Sequence, residues 1–193
     1  MTDTKTVANN FAAGFLSDAI QRLTGYKEMA DKAILQLNDD QLFTAVAAGS
    51  NSIAVIMQHM AGNMLSRWTN FLTEDGEKSW RNRDQEFAPV ENNRQVLLES
   101  WNKGWNCFLD TLKSLAPEDL EKEITIRGEP LKAYDAIIRQ LMHYSSHVGQ
   151  IVYVAKWQCG TNWQPLTIGK NQSQAYNHSM GYTSEQAFNK QQE

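Results

Sequence analysis

The sequence predicts an all-α protein built as a four-helix bundle. Four segments of roughly 20–28 residues repeat apolar side chains at three-then-four spacing, which is the mark of an amphipathic helix. A long polar connection separates the second from the third. The one extended piece is too short to make a sheet domain, so the four apolar stripes can be buried only against each other.

Leu16, Ile20, Leu23, Ala30, Ile34 and Leu37 place the first helix over about residues 10–37, and Asn38-Asp39-Asp40 breaks the pattern. Gly49-Ser50-Asn51-Ser52 supplies N-cap chemistry ahead of Ile53. Ile56, Met57, Met60, Met64, Trp68, Phe71 and Leu72 then carry a second helix to about residue 73. Its methionines read as adaptable core packing. From Glu74 to Glu91 the periodicity stops, in a stretch holding Gly76, Pro89 and the run Trp80-Arg81-Asn82-Arg83-Asp84-Gln85-Glu86-Phe87. That exceeds an ordinary helix–helix loop, so it is a crossover along the bundle or a functional loop. Arg81 and Arg83 could grip a substrate carboxylate, or pair with Asp84 and Glu86 in a solvated loop.

Leu97, Leu98, Trp101, Trp105, Phe108, Leu112 and Leu115 mark a third, aromatic helix ending before Pro117. The β-branched alternation around Gly128 predicts a small hairpin. A fourth helix starts just after Pro130 and runs through Tyr134, Ile137, Leu141, Tyr144, Val148 and Ile151 toward Gly160. The bundle domain is expected over residues 1–170, and the Gln-, Asn- and Ser-rich residues 171–193 are expected to form a loosely held or disordered tail carrying a solvated His178. The short link between the first two helices makes them antiparallel. The long second connection can return the chain so that the second and third run parallel, with the fourth opposed to the second.

The chain has 193 residues, ample for a single core, with 18 basic and 22 acidic side chains and a net charge of −4. That balance gives no footprint for a nucleic-acid backbone or an anionic membrane surface. The N-terminal residues lack the signature of a secretory signal, and a cytoplasmic location is expected. Cys107 and Cys159 show no CxxC spacing and read as reduced thiols. No Gly-rich phosphate loop or GxSxG elbow is present.

Chemistry concentrates on the fourth helix, in His143-Tyr-Ser-Ser-His147-Val-Gly-Gln150. Residues four apart stack on one helical face, so His143 and His147 can offer two imidazole nitrogens to one metal ion. His59, on the second helix, is the candidate third ligand. Three imidazoles leave coordination positions open, the pattern of catalytic zinc-type sites. Gly62 and Gly149 would leave room for a guest, Gln150 could orient a ligand or substrate, and Gln140 could support a histidine. The plainer alternative keeps all three histidines as hydrogen-bonded core residues.

This order of parts resembles the DinB/YfiT-like superfamily of metalloenzymes: one histidine on the second helix (His59), a long second connection, and His-x-x-x-His-x-Gly-Gln on the fourth (His143 to Gln150). The Trp-Arg-Asn-Arg-Asp run looks like an uncharacterised branch of it. The resemblance covers about residues 10–170. It implies an up-down-down-up bundle, commonly homodimeric, with zinc, nickel or a similar divalent ion on three histidines. It also implies thiol-dependent chemistry with low-molecular-weight thiols such as bacillithiol or mycothiol. The leading expectation is therefore a metal-dependent, small-thiol-dependent S-transferase acting on a small-molecule substrate. The alternatives are a dimeric metal-binding structural or stress-associated module and a metal-dependent hydrolase.

Overall fold

The structure, a computed structural model, describes the backbone of residues 4–182 and the side chains of 9–182. The protein is all-α apart from one hairpin. It divides into two compact units, Met1–Gly160 and Thr161–Glu193. Helix α1 spans Thr4–Ile34, starting earlier and ending sooner than its apolar pattern suggested. A short helix α2, Asp39–Phe43, then forms where only a break was expected, because Asn38 and Gln41 make a reciprocal capping box. Helix α3, Ile53–Trp68, is capped by Ser52, whose side chain accepts from the Val55 amide. It stops five residues short of the expected end, where Asn70 takes a positive φ of 50°. Helix α4 spans Arg94–Ser114, strands β1 and β2 span Glu123–Ile126 and Glu129–Lys132, and α5 spans Ala133–Cys159. The hairpin turns through Arg127 and Gly128, both at positive φ.

The buried stripe of α1 is Leu16, Ala19, Leu23, Ala30, Ala33 and Ile34, while α3 is buried on nearly every side. Individual contacts give the relative directions. Gly104 of α4 lies against the Ala61 backbone, and further along Thr111 Oγ1 is 3.0 Å from the Trp68 carbonyl oxygen, so α3 and α4 run parallel. Helix α1 opposes α4, since Trp101 Nε1 donates to Asp31 (2.9 Å) and Asn9 donates to Glu118 (3.4 Å). Helix α5 runs with α1, with Cys159 against the Gln36 carbonyl at one end and Ile138 sharing a groove with Phe11 at the other. Against α3, α5 is tied by Tyr144, which is wholly buried, accepts from Trp68 Nε1 (3.2 Å) and donates to Asn63 Oδ1 (2.9 Å).

The second unit contains a short helix α6, Ser173–Ser179, within the tail expected to be loose; it carries the exposed His178. The tail beyond residue 182 lies outside the described residues. Cys107 and Cys159 are both free thiols, and burial pushes the Cys159 thiol up. No helix of the described residues is long and apolar enough to cross a membrane.

The long connection between α3 and α4 is held at both ends of its path. Asp75 accepts from the amides of Glu77 (2.7 Å), Arg127 (2.9 Å) and Gly128 (2.8 Å), which fastens the loop to the hairpin turn. Burial opposes ionisation here, but the three amide bonds and Thr125 outweigh it and hold the Asp75 carboxyl far below the usual carboxylate range. Further on, residues Asp84–Phe87 form a 3-10 turn, and Gln58 on α3 donates to the carbonyls of Gln85 and Glu86 at 3.1 Å each.

Two outcomes follow from this packing. A methyl group at Gly104 would sit 2.9 Å from the Ala61 Cα. Gly104→Ala should therefore lose about 1–2 kcal/mol in denaturant unfolding, although helix propensity alone would add about 1 kcal/mol. Asp75→Ala should cost about 2 kcal/mol at neutral pH, after discounting for its partial exposure. Because the folded-state pKa is depressed, that difference is complete above the unfolded value of about 4 and is lost progressively as pH falls from there through the lower folded-state value, which unfolding at neutral and acid pH will read.

Candidate metal centre

Along α5 the buried stripe is Ala136, Ile137, Gln140, Tyr144, Val148 and Ile151. His143 and His147 sit on one flank of it, and the Tyr144 anchor turns that flank toward α3. His59 lies one turn before Asn63 on α3 and is 4% exposed. The three imidazoles consequently meet. His143 Nε2 is 3.3 Å from His59 Nε2 and 3.0 Å from His147 Nε2. One nitrogen from each ring lies within 4.8 Å of the other two.

The opposite ring nitrogens are each engaged by a side-chain oxygen. His59 Nδ1 is 2.9 Å from Glu86 Oε2, His143 Nδ1 is 3.3 Å from Gln140 Oε1, and His147 Nδ1 is 2.9 Å from Gln150 Oε1. These oxygens only accept, so each Nδ1 donates and a neutral ring has its lone pair on Nε2. Three lone pairs thus face one another with no proton between them. Tetrahedral coordination at about 2.0–2.1 Å places ligand nitrogens about 3.3 Å apart, so the donor set fits a divalent cation. Burial, then the neighbouring His147, His59, Arg81 and Arg67, push His143 down to about 3. Burial also lowers His147, against the pull of Gln150. Both rings are therefore neutral at physiological pH, the state that ligation requires.

Glu86 is the residue that sequence reasoning missed as a support for histidine. It lies in a loop, where no periodicity marks which way it points. The structure buries it to 7% exposure between an imidazole and a guanidinium: Oε2 meets His59, while Arg81 Nε and Nη2 donate to Oε1 and Oε2 at 2.7 and 2.9 Å. Burial raises its pKa, but His59 and Arg81 more than reverse that and hold it below the usual range. Arg81 is tied down further by Glu77 at 3.3 Å, and its own pKa is raised by these carboxylates in spite of burial. Phe87 stacks on His59 with ring centroids 4.6 Å apart and carries the Arg83 guanidinium 5.1 Å from its own ring centre.

The glycines divide. Gly149 is exposed, with no atom near the place of an added Cβ, and it does not line the cavity at the histidines. The space beside Gly62 is instead filled by Glu86, whose Oε1 would lie 2.5 Å from an added Cβ. Gly62 makes way for the carboxylate, not for a guest. Gln150, expected near substrate, has its carbonyl oxygen on His147; Gln140 holds His143. A cavity of about 250 Å³ opens beside His59 and His143, with Asn63 and Gln140 in its wall.

Fold and site together define a helical protein with a cluster of three histidines, each braced from behind. The family described as "Protein of unknown function (DUF1572)" matches residues 10–172, and the chain belongs to it. No curated protein matches the chain.

Removing a brace from a ligating histidine typically weakens metal binding 10–100-fold. Glu86→Ala should therefore raise the zinc dissociation constant by about that factor in a chelator competition. Gly62→Ala, which displaces the same carboxylate, should weaken binding in the same direction, and the double variant should be little worse than Glu86→Ala alone.

Proposed function

We propose that this chain is a metal-dependent enzyme of the DinB/YfiT-like kind: a four-helix bundle in up-down-down-up order that binds a divalent ion, zinc or nickel foremost, through His59, His143 and His147. The pairwise helix directions support that order. The observation that carries the metal reading is the convergence of three Nε2 lone pairs whose Nδ1 protons are all occupied elsewhere. A divalent ion there supplies Lewis acidity, which makes a bound thiol or water available as its conjugate base near neutral pH.

The reaction proposed is transfer of a small thiol to an electrophilic small molecule. The sulfur forms a bond to the electrophilic carbon, the leaving group departs with its bonding pair, and the thiol proton goes to solvent. The chain's own residues hold His143 and His147 neutral, turn all three rings toward one another, and keep the cavity beside them polar. Thiol chemistry is favoured over hydrolysis because Glu86, the carboxylate at the cluster, has both oxygens engaged by His59 and Arg81 and is not free to act as a general base. The open cavity and the three-residue cluster among the described residues favour an exchangeable position over a closed structural site.

Metal analysis of untagged protein purified without chelator, beside a variant with His143→Ala and His147→Ala, tests this directly. Near-stoichiometric divalent metal is expected in the parent and its loss in the variant, together with loss of thiol-dependent turnover. Equal metal content in both, or none in the parent after incubation with zinc, nickel and manganese, would overturn the reading.

A further inference from the structure

The cavity beside the histidines carries far more positive charge than the chain as a whole. Five arginines line it: Arg67, Arg81, Arg83, Arg127 and Arg139. Two carboxylates answer them. Glu77 lies 2.9 Å from Arg67, 3.3 Å from Arg81 and 3.2 Å from Arg127, and Glu86 is held by Arg81. Three guanidiniums thus share one carboxylate among them. Arg83 and Arg139 make no ion pair among the described residues, and Asp135, one turn before Arg139 on α5, does not bond to it. Five cations against two anions leave an excess of three positive charges around about 250 Å³. That is room for about eight waters at about 30 Å³ each, the size of a small metabolite and far too small for a nucleic-acid strand.

The two unpaired arginines approach the cavity from different elements. Arg83 rests over Phe87, which stacks on His59. Arg139 precedes Gln140, which holds His143. One arginine therefore comes from the long loop and the other from α5, and both line the cavity that His59 and His143 also line. Concentrated positive charge in a polar cleft raises the local concentration of anions, and the planar fork of arginine matches carboxylate and phosphate oxygens.

We propose that this cavity binds a small organic oxyanion, a carboxylate or phosphate compound clasped between Arg83 and Arg139, as the substrate presented to the three-histidine centre. Its role as substrate rests on the enzymatic reading above; the binding itself does not. Arg67, Arg81 and Arg127 supply the field and are already committed to Glu77 and Glu86, while Arg83 and Arg139 make the contacts.

Isothermal titration of the full chain at low ionic strength, once stripped of metal and once loaded with zinc, will test this. The probes are succinate, inorganic phosphate and glycerol 3-phosphate, with succinamide as the uncharged counterpart of succinate. Saturable binding of at least one anion is expected in both metal states, with no binding of succinamide, and the tighter headgroup identifies the source. Arg83→Gln with Arg139→Gln should weaken that binding about tenfold or more. Both side chains are exposed, so the fold should survive, and Arg22→Gln on α1 should change nothing.

Anion binding by metal-free protein that takes up no metal would uphold this inference and remove the enzymatic reading. Binding seen only with zinc and unaffected by the double variant would mean that the anion is a metal ligand alone, overturning the inference and leaving the metal centre intact. Equal binding of succinamide and succinate, or no anion bound in either state at about 10 mM, well above ordinary metabolite affinities, would also overturn it.

Discussion

The Glu86 carboxylate is the constraint on which the centre depends. A buried carboxylate is tolerated only when paired and hydrogen-bonded, and Glu86 meets that condition twice over, with Arg81 on one side and His59 on the other. Each partner explains a further feature. The Arg81 side chain is itself almost wholly buried and needs Glu86 and Glu77 to be tolerable, which ties together the two parts of the connection that bond to α3. His59 has its proton placed on Nδ1 by Glu86, which leaves Nε2 for the cluster. The bare backbone at Gly62 is the steric condition for all of this.

The helices determine where that arrangement can form. α3 is buried nearly all around, so any polar group on it must find a partner inside the protein. Asn63 finds Tyr144, Ser66 finds the Gly76 carbonyl and the Lys78 amide, and His59 finds Glu86. These bonds are directional, and they convert apolar packing, which would allow some sliding, into a single registry between α3, α5 and the loop. The close approach of α4 at Gly104 works from the other side. It lets α3 lie deep enough for its polar face to meet α5.

How much of this could be read beforehand differs by element. His143 and His147 were legible because helical spacing alone puts them on one face, and Gln140 and Gln150 are three positions from them on that same face. His59 could be proposed only through packing of two apolar stripes. The four long helices and the hairpin at Gly128 followed from period and turn chemistry; α2 did not, because five residues are too few to show a period and its capping box was the only sign. The loop was least legible. Arg81 and Arg83 were weighed for substrate or for Asp84 and Glu86, and the structure divides them: Arg81 to Glu86 and Glu77, Arg83 to Phe87. That division depends on which residues reach the buried side of α3, and nothing in a loop's local sequence records it.

Net charge illustrates the same limit. A balance of −4 over the chain bears on long-range encounters with extended polyanions, whose fields act over the whole surface. It does not bear on a cavity. At physiological ionic strength charges are screened beyond about 8 Å, so what a small molecule experiences is decided by the groups within that distance. Around this cavity five arginines outnumber the carboxylates of Glu77 and Glu86, and they are brought from α3, the long loop, the hairpin turn and α5, positions as far apart in sequence as Arg67 and Arg139. An acidic protein with a cationic cleft is therefore consistent, and the cleft's charge was invisible to composition because only folding assembles it.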